Sequence, residues 1–113
     1  MSQIETAWVF VMSKDDLPSA GARVITGGKA GPIALFRTED DEVFAVLDKC
    51  PHKGGPLSQG LVHGHLVTCP LHAWNIELKT GCAIAPDKGC ARSYLVKCEA
   101  NDIFLSASEL ASD

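Results

Sequence analysis

A chain of 113 residues has the length of one domain, and its 46% hydrophobic content is ordinary for a globule with a modest core. A net charge of −4 argues against nucleic acid, which asks for a basic surface. No apolar run approaches the ~20 residues of a membrane span, and the start Met1-Ser2-Gln3-Ile4-Glu5 has no basic or apolar leader region, so a cytoplasmic single domain over residues 1–113 is expected.

In chain order, short strand-like runs alternate with turns. Residues 8–12 read as a first strand and 22–25 as a second, with a loop at Asp15-Asp16-Leu17-Pro18 between them. After the turn Gly27-Gly28-Lys29-Ala30-Gly31-Pro32, residues 33–37 and 42–47 form a hairpin around Glu39-Asp40-Asp41. In the second of these strands Val43, Ala45 and Leu47 face one side while Phe44 and Val46 face the other, so both faces are expected to be buried. Leu61-Val62 and Leu66-Val67-Thr68 make a hairpin that turns at His63-Gly64, and residues 75–78 add a strand before Lys79-Thr80-Gly81. A long loop follows over about 82–91. Residues 94–99 and 102–105 then close the domain as a hairpin around Ala100-Asn101, and only 108–111 suggest a helical turn. Many short strands with Gly and Pro turns imply an all-β antiparallel sandwich or barrel.

Two segments interrupt this pattern with chemistry. Cys50-Pro51-His52 and Cys69-Pro70-Leu71-His72 each pair a soft thiolate with an imidazole. Proline after each cysteine restricts the backbone, Gly54 and Gly55 permit a tight turn, and Pro56 closes the first loop. Two Cys and two His suffice for a [2Fe–2S] cluster with both cysteines on one iron and both histidines on the other. The same four groups also satisfy tetrahedral zinc, although zinc fingers group like ligands in each knuckle and these knuckles are mixed. His63 and His65 are expected on the surface of the connecting hairpin. Of five cysteines, Cys82, Cys90 and Cys98 remain. In a cytosolic chain these are expected to be reduced thiols, with no disulfide between Cys82 and Cys90. Cys98 shares the parity of Tyr94 and Val96, which places it in the core.

The run Cys50-Pro51-His52-Lys53-Gly54-Gly55-Pro56-Leu57-Ser58-Gln59-Gly60, with Val67-Thr68-Cys69-Pro70-Leu71-His72-Ala73-Trp74 and Leu78-Lys79-Thr80-Gly81, resembles a Rieske domain. More narrowly, residues 53–60 and Asp87-Lys88-Gly89-Cys90 resemble the small subunit of assimilatory NAD(P)H-dependent nitrite reductase in its cluster-bearing form. The resemblance implies a Rieske-type [2Fe–2S] cluster on Cys50, His52, Cys69 and His72. It also implies a base of antiparallel sheets with a cluster-binding subdomain inserted at about 48–80. Two thiolates in place of four leave the oxidised cluster less negative, which raises its potential. The high-potential members of the family carry an extra cysteine in each ligand loop and serine and tyrosine hydroxyls near the cluster. Those positions fall here at Gly55, Leu71, Trp74 and Ile76, so a low-potential member is implied. Pro86 is expected in a loop that covers the cluster and Trp74 in packing beneath it, while Lys53 reads either as a solvated surface lysine or as a local positive charge that favours the reduced cluster or docks a partner.

The implied function is electron transfer within an NAD(P)H-dependent nitrite reductase, beside a large subunit holding FAD, a [4Fe–4S] cluster and sirohaem. The chain would then be an accessory subunit with no catalytic residues of its own. The alternative is a Rieske ferredoxin that carries electrons from a reductase to an aromatic-ring-hydroxylating dioxygenase.

Overall fold

The computed structural model describes residues 7–51, 55–70 and 73–111. Among the described residues, ten short strands, all paired antiparallel, form three sheets. The first sheet joins β1 (Trp8–Ser13), β10 (Asp102–Ser106) and β9 (Val96–Glu99), with β10 in the middle. The second orders β2 (Gly21–Ile25), β3 (Ile33–Arg37), β4 (Val43–Leu47) and β8 (Ser93–Tyr94). The third is a meander of β5 (Leu61–His63), β6 (Leu66–Thr68) and β7 (Asn75–Glu77). A single helical turn, α1 (Ala107–Leu110), follows β10. The all-β antiparallel expectation therefore holds.

The second sheet is central because its two middle strands are apolar on both faces. In β3, Ile33 and Leu35 point to one core, with Leu17, Ala45, Tyr94, Ile103 and Leu105, while Ala34 and Phe36 point to another, with Val46, Val62, Val67 and Ile76. Period-2 alternation produces this division, since successive side chains leave a strand on opposite faces. The first core joins the central sheet to β1, β9 and β10. The second joins it to the β5–β7 meander and contains Cys50 and Cys69.

Two local expectations need correction. Residues 94–99 are not one strand. Tyr94 pairs with Ala45 in the central sheet and Val96 pairs with Leu105 in the first, so the chain changes sheets at Leu95. The Leu95 amide, lost to both ladders, donates instead to Glu109 Oε1 at 2.7 Å. Cys98 is exposed rather than buried. It lies on edge strand β9, opposite buried Ile103 and close to the Ala100-Asn101 turn.

Candidate metal centre

Both candidate ligand cysteines lie at the ends of strands that pack in the second core. Cys50 follows β4 after two residues and is 3% exposed, while Cys69 directly follows β6 and is 2% exposed. Neither is in a disulfide. The two segments close in the same way. The Cys50 amide donates to the Gly55 carbonyl and the Cys69 amide to the Trp74 carbonyl, each at 2.7 Å and each five residues on. His52 falls inside the first closed loop in sequence and His72 inside the second. Both lie outside the described residues, as do Lys53, Gly54 and Leu71. Among the described residues no three His, Cys, Asp or Glu side chains converge.

Each loop is tied at its base. The Asp48 carboxylate accepts from the Ser58 amide at 2.7 Å and from the Ser58 hydroxyl at 2.8 Å, joining the two ends of the first loop. Leu57 is fully buried beneath that loop. Gly60 ends it where a Cβ would clash with the Thr68 carbonyl oxygen, so only glycine lets the two loops approach. In the second loop Ala73 has a φ of 57° and donates its amide to the Cys69 carbonyl at 3.0 Å. Thr68, just before Cys69, donates to Asn75 Oδ1 at 2.7 Å and receives His63 Nε2 at the same distance. His63 and His65 are exposed, as expected, and His65 Nε2 pairs with Asp40 at 2.9 Å. Trp74 packs partly buried against the core that holds both cysteines, and Ile76 is fully buried in it.

Reduced thiols buried in a common core, at the mouths of two matched loops, fit thiolate ligation of iron. The protein is thus, by fold and site chemistry, a small iron–sulfur electron-transfer protein. The Rieske [2Fe–2S] domain model matches residues 7–97, and the chain belongs to that family. A Rieske-type [2Fe–2S] cluster is accordingly its cofactor. The 3-phenylpropionate/cinnamic acid dioxygenase ferredoxin subunit of Photorhabdus laumondii is 35% identical over 103 residues, 89% of this chain and 95% of that protein. A solved structure named for the small subunit of an NADPH nitrite reductase is 25% identical, with a TM-score of 0.78, covering 88% of this chain and 97% of that one. A ferredoxin solved with the oxygenase of carbazole 1,9a-dioxygenase shares the fold, with a TM-score of 0.78 at 23% identity over 90% of this chain and 94% of that one.

One site feature contradicts the sequence reading. Cys82 and Cys90 form a disulfide, with Cα atoms 3.9 Å apart, where reduced thiols were expected. The loop between them doubles back as a short antiparallel bridge that sets the two residues face to face. A signal for this was present in the pairs Gly81-Cys82 and Gly89-Cys90, which flank the turn at Pro86. Both glycines have positive φ, 78° and 125°, which lets each strand of the loop turn in just ahead of its cysteine. The Pro86 loop does reach the ligand region, since a Cβ on Gly89 would lie 3.1 Å from Pro51 Cβ.

Among the described residues, no helix is long and apolar enough to cross a membrane.

Proposed function

We propose that this chain is the ferredoxin of a multicomponent dioxygenase and carries single electrons from a reductase to a terminal oxygenase. Cys50, His52, Cys69 and His72 hold its [2Fe–2S] cluster, within an inserted subdomain at about 48–80. The observation that carries the reading is the match to a dioxygenase ferredoxin subunit along 95% of that subunit's length. Correspondence over almost a whole free-standing carrier favours the same role more than a match to one domain of a larger oxygenase does. When bound, the cluster supplies one-electron redox chemistry near the low end of the Rieske range. The chain's own part is to keep the two thiols buried and to hold the two loops rigid through the Asp48–Ser58 tie and the paired amide closures, so that little rearranges when charge changes.

The second reading, the small subunit of NAD(P)H-dependent nitrite reductase, is favoured by the run at 53–60 and by the 25% identical solved structure. It gives the same cluster a different partner, the large sirohaem and FAD subunit.

Mixing the dithionite-reduced protein with each partner in a stopped-flow instrument separates the two. Reoxidation by a terminal oxygenase, with ring hydroxylation that needs this chain, is the expected result. Reoxidation only by the large nitrite reductase subunit, with nitrite reduction that needs both chains, replaces the ferredoxin reading with the second. Under either reading Lys53→Glu weakens pairing with an acidic partner face, more at low salt than at high.

A further inference from the structure

The Cys82–Cys90 pair has no part in holding iron, yet it fastens a loop that touches both ligand segments. On the side of the second ligand loop, Ile84 donates to the Asn75 carbonyl at 2.9 Å, Glu77 donates to the Cys82 carbonyl at 2.9 Å, and Ala83 bridges Ile76. On the side of the first, Gly89 lies against Pro51, the residue that follows Cys50. The loop thus rests on β7, just beyond Trp74, with one end and on the Cys50 turn with the other.

The two cysteines face each other for a local reason. Ala83 donates to the Gly89 carbonyl at 2.9 Å and Ala91 to the Gly81 carbonyl at 2.7 Å. Cys82 and Cys90 lie between these bonds, at a non-hydrogen-bonded position, where opposed side chains on one face come closest. Backbone bonds on either side of the pair set the two sulfurs face to face. The pair is also reachable. Cys90 is exposed and Cys82 half-buried, whereas Cys50 and Cys69 are buried.

We propose that Cys82 and Cys90 are a second redox site, a two-electron thiol–disulfide pair that exchanges with low-molecular-weight thiols and, when oxidised, prolongs retention of the cluster by locking the 82–90 loop against Pro51. In the oxidising direction, one protein thiolate attacks a small-molecule disulfide, RS–SR, and releases one RSH. The second protein thiol then displaces the other RSH from the mixed disulfide. Two protein thiols are oxidised, one small disulfide is reduced, and two thiols leave. Two RSH molecules run the sequence backwards, entering at exposed Cys90. The exchange itself is independent of which partner accepts electrons from the cluster. Its effect on retention rests on the assignment of Cys50 and Cys69 as ligands.

The test uses the holoprotein, equilibrated anaerobically in glutathione buffers from fully oxidised to fully reduced, then acid-quenched and alkylated. Mass spectrometry should show Cys82 and Cys90 gaining label together as the buffer becomes reducing, with Cys98 labelled throughout as the exposed control. Iron release to a chelator should be about tenfold faster from the reduced protein than from the oxidised protein, in line with the stabilisation that a disulfide lends. Cys82→Ser/Cys90→Ser should match the reduced protein in every buffer, and Cys98→Ser should match wild type. If the double variant folds poorly, the comparison of reduced with oxidised wild type stands by itself. Cys82 and Cys90 fully alkylated in the most oxidising buffer would overturn the proposal. So would a pair still bonded in the most reducing one, or equal iron release from both states. None of these outcomes bears on whether an oxygenase or nitrite reductase accepts the electron.

Discussion

The two faces of the central sheet make the most instructive comparison in the molecule. One face closes a core of Leu17, Ile33, Leu35, Ala45, Tyr94, Ile103 and Leu105 that only joins sheet to sheet. The other, built from alternate residues of the same strands, closes a core in which Cys50 and Cys69 lie among Phe36, Val46, Leu57, Val67 and Ile76. One pair of strands thereby serves as structural base and as the wall behind the ligand loops. A change on one face should be felt as stability alone, and a change on the other as stability and site together.

The largest break comes at the ligands. Cys50→Ser, Cys69→Ser, His52→Ala or His72→Ala should each abolish the cluster, while Cys98→Ser should keep it. Iron and acid-labile sulfide, expected at about two each per chain in the wild type, give the measurement. Stoichiometric zinc without labile sulfide in anaerobically prepared protein would refute the assignment.

Next come two neighbours on β3. Leu35 and Phe36 are both fully buried, on opposite faces. Leu35→Ala and Phe36→Ala should each cost about 3–4 kcal/mol in urea unfolding. Only Phe36→Ala should also speed loss of the visible spectrum to a chelator. Equal loss in both variants would mean that the two cores are not separate in function.

A redox measurement sharpens the second face further. The positions that carry hydroxyls in high-potential members are held here by Trp74, partly buried, and Ile76, fully buried in the same core as the cysteines. With no hydroxyl at either, the midpoint should lie near the low end of the Rieske range, on the order of −150 mV. A value several hundred millivolts higher by voltammetry would overturn the argument.

The smallest effects belong to two adjacent carboxylates in the β3–β4 turn. Asp40 reaches the ligand-side hairpin through His65, and Asp41 reaches the base through Lys14 and Arg37, at 2.9 Å each. The Thr38 hydroxyl, and after it His65, holds the Asp40 carboxyl below its ordinary value of 3.8. The Lys14 ammonium, then Arg37, does the same for Asp41. A depressed folded pKa means a contribution fully present above 3.8 and lost as pH falls below it through the lower folded value. Both groups are exposed, so each contribution is small. Asp40→Asn and Asp41→Asn should each flatten the acid limb of unfolding slightly, as followed by far-UV circular dichroism. Only Asp40→Asn should also speed cluster release at neutral pH, with a smaller further rise on acidification, because the pairing with His65 is already gone.

Much of this was legible in the chain before folding. The candidate ligand pattern is contiguous, so it could be picked out from residue type and spacing. The strands could be read from alternation, and 33–37 matches β3 residue for residue. The two-sided burial of 43–47 was also visible, because a strand apolar at both parities has no face to give to water. The misreadings fall where partners are distant in sequence. Cys98 has the parity of a core residue, but its exposure depends on β9 being an edge strand, and β9 is an edge because β10 has β1 on its other side. Residues 94–99 look like one strand, yet the break at Leu95 exists only because two different sheets claim its ends. By itself, the sequence determined the all-β character, the alternation of faces and the cysteine–histidine knuckles, since those depend on side-chain type and near-neighbour geometry. Folding settled which core each face meets, that Cys82 and Cys90 stand opposed, and that their loop presses on Pro51. Those outcomes depend on register and layer packing between segments whose order along the chain does not state who their neighbours are.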